Sequence, residues 1–431
     1  MAIRHRTRRN SCKRRRGAVA MHMLVLLGTI MVIFMGFAFD LGRLYLNRSE
    51  LQTMASAMAI AAAQQLIGTE ISTAYAGSAA RAAVSVANGG GNRYDFGGIV
   101  LGEGTTLLSS EVPEPRFYES MSGATGEGDG GLGQEVSGGA ARFARVEVRA
   151  DAPLVFFGLL FIAADRKVPL ATAAVAGVSA PVCSACGTEP IAVAAPNTED
   201  STDFGFVRGT RYTFHYQCNG QPLPQPLGTA ASRLPYLLLN RLDAESSNFA
   251  TEDSQLFRNG NNGVPPSNNL NQACITIGQP VQIWATATPR LCSQTAPNPT
   301  VQQFLCGLNN RFDNSLSDPA CAAITDSATL SSAPPVDNDL NDFDDFTSYT
   351  GRGRRIITIA VVDLLSSTAD MAVLGFRQFL VMPNPGVTTL SPADGPGRFA
   401  AIYIGYPAPL RQGRFGSCGV SSGPGKVVLH R

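Results

Sequence analysis

The longest uncharged run of the chain lies near its N-terminus. Residues 18–39 are 22 consecutive positions without Asp, Glu, Lys or Arg. As an α-helix such a run is about 33 Å long, close to the roughly 30 Å hydrocarbon thickness of a bilayer. The first proline is Pro113, so nothing forces a break before Gly68, a residue type that commonly ends helices. We therefore predict one helix from Arg14 to Ile67 whose first half spans a membrane.

The second half of this helix has apolar positions at three- and four-residue spacing, which predicts one packed face. These positions are Leu41, Leu44, Tyr45, Leu51, Met54, Ala55, Met58, Ala61 and Ala62. We expect this face to pack on a partner. A second alanine-rich segment, residues 74–87, predicts another helix, which ends before a glycine run at residues 89–91.

Beyond the helices, alternating or β-branched apolar runs predict strands separated by turn residues. The predicted strands are residues 99–101, 145–149, 168–178, 212–216, 236–242, 281–286, 355–362, 372–381, 398–406 and 426–429. The 11-residue apolar run 154–164 is too short to span a bilayer and favours a buried helix or strand pair. The fold class is therefore α+β: a long transmembrane-plus-amphipathic helix, a small α+β unit and a β-rich domain.

Charge gives the orientation of the predicted span. Residues 1–16 carry eight basic and no acidic side chains, which leaves −7 for residues 17–431. The positive-inside rule then places the N-terminus in the cytoplasm and the C-terminal domain in the periplasm. A cleaved signal peptide would have a shorter apolar region followed by small residues, whereas this run ends in Phe39-Asp40-Leu41. We predict a basic tail (1–16), a membrane helix (17–40), a helix with an α+β unit (41–180) and a β-rich exterior domain (181–431).

Eight of the nine cysteines follow the predicted membrane helix, and only Cys12 precedes it. An even set on the exported side predicts disulfides, with the pairing undetermined. The candidates are Cys183, Cys186, Cys218, Cys274, Cys292, Cys306, Cys321 and Cys418. Two alternatives concern the Cys-x-x-Cys pair at 183 and 186: a zinc site completed by His215 and Cys218, and a redox-active motif.

Motifs that suggest catalysis lack the context that catalysis needs. Gly419–Gly423 matches Gly-x-Ser-x-Gly, but Pro424-Gly425 excludes the helix that follows a nucleophile elbow. Five aspartates in residues 337–345 do not follow the EF-hand pattern and favour a solvated loop over a Ca²⁺ site. We therefore predict no catalytic residue, metal, cofactor, small-molecule substrate or nucleic-acid partner, and a structural or assembly role.

Three N-terminal motifs resemble one family. They are Arg-Gly-Ala-Val-Ala at 16–20, Asp-Leu-Gly-Arg-Leu-Tyr at 40–45 and Leu-Gln-Thr-Met-Ala-Ser-Ala at 51–57. Together, over residues 14–67, they resemble the Tad (tight adherence) family, the TadE/TadG-like proteins of Flp pilus assembly. Ser56 and Met54 stand where the family pattern has Asp and Ala. The matching motif residues are Asp40, Gly42, Arg43, Tyr45, Leu51 and Gln52.

The resemblance implies a pilin-like helix in the inner membrane that contacts other Tad/Flp assembly proteins. Pilin-like members are cut after a glycine and carry Glu five residues later, which makes Gly17-Ala18 a possible processing site. His22 occupies the position of that glutamate, so we favour an uncleaved anchor over a processed minor pseudopilin. A further alternative is an envelope-anchored adhesin or ligand-binding module that uses the Asn/Pro-rich stretches of residues 181–335.

Overall fold

The structure is a computed structural model that describes most of the chain. The described residues are 14–83, 114–127, 131–154, 156, 167–186, 188–217, 232–239, 274–281, 299–309, 311, 346–366, 370–382, 397–410 and 413–430. A long N-terminal apolar helix precedes a β-rich domain with two disulfides, which confirms the predicted α+β class. The predicted strand at 99–101 and most of the apolar run 154–164 lie outside the described residues.

The predicted N-terminal helix is α1, Arg14–Ala63. Its 50 residues are about 75 Å long at about 1.5 Å per residue. The α-helix ends four residues before the predicted Ile67, and Gly68 follows with a left-handed φ of 91°. The chain then enters α2, Ser72–Ala83, which corresponds to the predicted second helix.

Two further helices were not predicted. The first, α3, is a single turn at Met121–Thr125, whose N-terminus is capped by the Ser120 hydroxyl. The second, α4, spans Pro299–Asn309. Val301, Phe304, Leu305 and Leu308 of α4 are all fully buried. Their spacing is helical, but the surrounding Asn, Pro and Thr residues conceal so short an amphipathic signal.

A four-stranded sheet contains the strands predicted at 145–149, 168–178 and 426–429 together with one short strand that was not predicted. Its order is β1-β2-β3-β14. The strands are β1 (Arg116–Tyr118), β2 (Phe143–Pro153), β3 (Lys167–Pro181) and β14 (Gly425–Leu429). Strand β14 pairs antiparallel with β3, so one of the last elements of the chain lies beside a strand that precedes Cys183.

Six strands of the largest sheet pair around a closed ring. The order is β10-β5-β7-β6-β12-β11, and β10 also pairs with β11, while β9 adds to β11 at the edge. A closed ring leaves no long unpaired edge, which removes a template for aggregation. The strands are β5 (Ile191–Ala194), β6 (Arg211–Tyr216), β7 (Arg233–Leu238), β9 (Pro280–Val281), β10 (Ile356–Val362), β11 (Met371–Val381) and β12 (Phe399–Tyr403).

One buried aromatic cluster joins this ring to α4. Alternate residues of the strands, such as Phe214, Phe379 and Phe399, lie in the same hydrophobic cluster as Phe304 of α4. Phe214 and Phe399 are stacked with their ring centroids 4.5 Å apart. Such offset aromatic packing stabilises the fold by about 0.5–1.5 kcal/mol beyond the contribution from burial of the rings. The ring of strands therefore has a core of its own.

A third, three-stranded sheet has the order β13-β4-β8 and carries the disulfides at its margin. It consists of β4 (Ser184–Cys186), β8 (Cys274–Thr276) and β13 (Gly413–Arg414). Cys186 of β4 is bonded to Cys274 of β8, its direct neighbour in the register. Cys183, next to β4, is bonded to Cys418, which is 235 residues away in the sequence.

An ion pair is buried where α4 ends. Arg311 pairs with Glu189, and their side chains are 6% and 0% exposed. Arg311 also donates from Nη1 to the carbonyl oxygens of Arg354, at 2.6 Å, and Ile356, at 3.2 Å. The guanidinium thereby connects the segment after α4 to the start of β10 and to the loop before β5.

The chain divides into two compact units. One comprises residues 1–55, 84–113 and 147–173, and the other comprises residues 56–83, 114–146 and 174–431. The domain boundaries proposed from the sequence stay a prediction.

Substitution of Gly68 by alanine is expected to destabilise the β-rich unit. Gly68 has a φ of 91°, and an added Cβ would lie 2.7 Å from the Tyr406 ring. The left-handed strain alone costs about 1–2 kcal/mol. Gly77→Ala is the matched control, because the nearest atom to its Cβ is Arg81 Nη1 at 3.9 Å and helix propensity favours alanine by about 1 kcal/mol. In thermal unfolding of the full chain in detergent, the melting temperature should fall for Gly68→Ala and rise for Gly77→Ala. Equal changes in melting temperature would contradict this account.

Removing one partner of the buried ion pair is expected to lower the free energy of unfolding by more than half as much as removing both partners. Glu189→Ala should lower the free energy of unfolding by about 3–5 kcal/mol, since it leaves a buried guanidinium without its carboxylate. The double variant Glu189→Ala/Arg311→Ala should lose clearly less than the sum of the two single variants. Urea unfolding of the four proteins of this double-mutant cycle measures the coupling, and strict additivity would show that the pair does not interact.

Candidate functional site

The first half of α1 exposes apolar side chains on all its sides. Residues 20–39 are exposed at every position except Gly36. The exposed fractions include 75% for Leu24, 69% for Phe34 and 52% for Phe39. Soluble monomers rarely expose an apolar surface of this extent. In the described part of the chain, this is the one helix long and apolar enough to cross a membrane.

The second half of α1 is buried by the chain itself. From Leu51 onward the face seen in the sequence is shielded from solvent, whereas Leu41 and Tyr45 are 53% and 75% exposed. The buried residues are Leu51, Met54, Ala55, Met58, Ala59, Ala62 and Ala63, and Leu66 just after the helix is buried as well. The expectation that the whole stripe meets a partner is therefore wrong after Leu51, because those residues already lie in the interior.

Asp40, the first residue of the second motif, is 3% exposed although it follows the apolar stretch directly. Its two carboxylate oxygens accept from the backbone N–H of Phe156, at 3.1 and 3.3 Å. One turn earlier, an added Cβ at Gly36 would lie 3.0 Å from the Cβ of Phe156. The rings of Phe39 and Phe156 meet edge to face, with centroids 5.4 Å apart. The aspartate is thus a hydrogen-bonded attachment point for the segment after β2.

Gln52 of the third motif makes a comparable attachment to β3. Its side-chain oxygen accepts from the Thr172 hydroxyl, and its amide nitrogen donates to the Ala173 carbonyl at 3.5 Å. Leu51, its neighbour, is 1% exposed. Asp40 and Gln52 therefore both bind segments more than 100 residues away in the sequence. The motif holds the helix to its own chain.

The other motif positions make fewer contacts. Gly42 is exposed, and an added Cβ there would meet nothing within 4 Å. Arg43 is half-buried and Tyr45 points to the surface. At the possible processing site, Gly17 and Ala18 belong to the first turns of α1, and His22 is exposed on the same helix. Cleavage at Gly17 stays a prediction.

The disulfides engage both thiols of the Cys-x-x-Cys pair, each with a distant partner. Cys183 pairs with Cys418 and Cys186 with Cys274, so neither thiol is left for the zinc site or the redox-active pair considered from the sequence. His215 lies on β6, in a different sheet from Cys186. Of the remaining candidates, the side chains of Cys218, Cys292, Cys306 and Cys321 lie outside the described residues.

A cavity of about 290 Å³ lies beside the Gly-x-Ser-x-Gly segment. Arg377, which is 3% exposed, donates from Nη2 to the Thr202 carbonyl at 2.5 Å and to the Ser422 hydroxyl at 3.0 Å. Burial lowers the pKa of Arg377. The Tyr403 hydroxyl donates to Asp203, and burial together with this bond raises the pKa of Tyr403. These groups hold two loops against β11.

The serine of that motif is not placed as a nucleophile. Ser421 is exposed, and the chain continues through a bend at residues 422–423 into strand β14 rather than into a helix. A strand therefore follows this serine where a nucleophile elbow has a helix. Among the described residues, no group of three or more His, Cys, Asp or Glu side chains could hold a metal ion.

Removal of the Asp40 carboxylate is expected to loosen the segment after β2. Asp40→Ala leaves the Phe156 N–H without this acceptor, at a cost of about 1–3 kcal/mol. Asp40→Asn keeps one side-chain oxygen as an acceptor and should cost less, so it is the matched control. Hydrogen exchange at the Phe156 amide, measured by mass spectrometry in detergent, should rise more in Asp40→Ala than in Asp40→Asn. Unchanged exchange in both would contradict the attachment.

Comparison with known protein families gave a match that covers the part of α1 with Asp40 and Gln52. No curated protein and no solved structure matched the chain. Residues 17–65 match the family model Tad, described as Putative Flp pilus-assembly TadE/G-like, which confirms for this segment the family resemblance seen in its motifs.

Proposed function

We propose that the chain is a non-enzymatic, single-pass membrane protein of Flp/Tad pilus or secretion assembly. The observation that carries this proposal is α1: its first half exposes apolar residues on all sides, and the same helix lies in the segment that matches the Tad family model. Exposure of this apolar surface to water would cost roughly 25 cal/mol of free energy for each Å². A bilayer removes that cost, and a helix satisfies its own backbone there.

The orientation of the proposed anchor follows from charge and from the cysteines. The eight basic residues of positions 1–16 favour a cytoplasmic N-terminus. The β-rich part, which carries Cys183–Cys418 and Cys186–Cys274, then lies in the oxidising periplasm, where disulfides persist. Charge and cysteine chemistry therefore support the same inner-membrane topology.

The anchor would act as a scaffold and not as an enzyme. Asp40 and Gln52 bind the segment after β2 and strand β3, so the proposed anchor is held by hydrogen bonds to these later parts of its own chain. Exposed positions before Leu51, including Gly42 and Tyr45, are left for contact with other assembly proteins within or next to the bilayer. Small residues such as Gly42 allow close approach of a neighbouring helix.

Intact mass and N-terminal sequencing of the membrane-fraction protein test whether the anchor is permanent. We expect the chain to keep residues 1–17, because His22 cannot provide the negative charge of the pilin glutamate. A chain that begins at Ala18 would instead show prepilin-type processing and a subunit able to leave the bilayer. Gly17→Leu is the control, since it should abolish such processing and leave an uncleaved chain unaffected.

Deletion of the gene in a piliated host tests the assembly role. We expect loss of surface Flp pili, restored by the full chain and not by a chain that lacks residues 14–40. Intact pili combined with lost surface attachment would favour the adhesin alternative. Protease added to spheroplasts should degrade the β-rich part and spare the N-terminal tail, and the opposite pattern would reverse the proposed orientation.

A further inference from the structure

The contact between Phe156 and α1 lies at the last turn of the exposed apolar stretch. Among residues 20–40, the buried positions are Gly36 and Asp40, one helical turn apart and therefore on the same side of the helix. Phe156 contacts both of them. Its own side chain is 39% exposed, and Phe37 and Phe39 of α1 are 51% and 52% exposed. Three aromatic rings thus stay accessible at one level of the helix.

The Asp40 carboxylate and the Phe156 backbone N–H, which lie at this level, are hydrogen-bonded to each other. A carboxylate or a backbone N–H that meets lipid without a partner is costly, whereas water would satisfy either group. The Asp40 oxygens accept from the Phe156 N–H at 3.1 and 3.3 Å, so the attachment hides a charge and a backbone donor together. This arrangement suits a surface with little water.

The sequence that surrounds Phe156 has the same character. Residues 154–164 contain no Asp, Glu, Lys or Arg, and charge returns at Asp165, Arg166 and Lys167. Strand β2 ends at Pro153, and β3 begins at Lys167.

We propose that Phe156 is a second membrane contact, which lies in the lipid interface beside α1 at the level of Gly36–Asp40. The occupant of this aromatic surface is the bilayer, because the surface is continuous with the exposed apolar face of α1. A second point of contact beside α1 would restrict tilting of the helix relative to the membrane. This inference rests on the proposed anchoring of α1 and adds a contact to it.

Tryptophan quenching by brominated lipids tests the inference on the full chain in phosphatidylcholine/phosphatidylglycerol vesicles. Trp284 is the sole tryptophan, so a Trp284→Phe background allows one probe at a time. The probes are Phe156→Trp, Phe39→Trp as the reference on α1, and Phe415→Trp as the matched control, whose parent side chain is 51% exposed in the β-rich unit. Lipids brominated near the headgroup end of the acyl chain are compared with lipids brominated near the chain terminus.

We expect Phe156→Trp and Phe39→Trp to be quenched to a similar extent, more by the shallow than by the deep bromines, and Phe415→Trp to be unaffected. If Phe39→Trp is quenched and Phe156→Trp behaves like Phe415→Trp, the anchor stands and the second contact is refuted, with water or a protein as the neighbour. If neither probe on the proposed membrane surface is quenched, the anchoring proposal itself fails.

A second measurement covers the case in which Phe156→Trp does not fold. A photoreactive diazirine analogue of phenylalanine at position 156 preserves the ring and can be activated in the same vesicles. Lipid adducts on the peptide that contains residue 156, absent when the analogue replaces Phe415, support the contact. Water adducts alone at position 156 would overturn it.

Discussion

An apolar helical surface that water would have to solvate is the constraint on which the rest of this structure depends. The helix α1 meets that constraint in two ways along its length. Its later residues, from Leu51, are buried by the chain itself, whereas the residues before Asp40 stay exposed. The exposed half needs another apolar environment, and a continuous helix is the form in which a chain can enter one without unsatisfied backbone groups. Asp40 ends the uncharged stretch and is buried, although the residues between it and Leu51 are largely exposed.

The β-rich part solves a different problem, which is stability in a region with many loops. Its six-stranded ring closes on itself, and aromatic residues from several strands fill the interior together with α4. Polar cross-links then hold the connecting segments to this ring. Arg311 and Arg377 bind backbone carbonyls of segments that are distant in sequence, so two buried cations position loops that have little apolar surface of their own.

Elements with a long or regular pattern could be predicted from the sequence. The helix from Arg14 and the strands near residues 145, 168, 356 and 372 follow from runs of apolar or alternating residues. Strand β5 has only four residues, Ile191–Ala194, so its apolar run is too short to distinguish from a loop. Helix α4 carries a helical spacing that its Asn- and Pro-rich surroundings conceal. Local pattern is thus informative only when it extends over several residues.

Pairings between distant residues could not be predicted in the same way. The motif residues Asp40 and Gln52 were identified from the resemblance, but their partners near Phe156 and Thr172 were not, because nothing local records a contact across more than 100 residues. The Cys-x-x-Cys pair gave a similar outcome. Disulfides were predicted for both cysteines, with a zinc site and a redox-active motif as alternatives, but their partners, Cys418 and Cys274, are brought close only by the tertiary fold.

The bond between Cys183 and Cys418 has a consequence for the lifetime of the protein. It closes a covalent loop of 235 residues that contains the whole six-stranded ring. A protease that cuts the backbone once anywhere inside this loop leaves both fragments joined, and strand β14 keeps its place beside β3. A nicked molecule would therefore retain its C-terminal part as long as the bond stays oxidised. Damage to the loops would not by itself release that part from the helix that carries it.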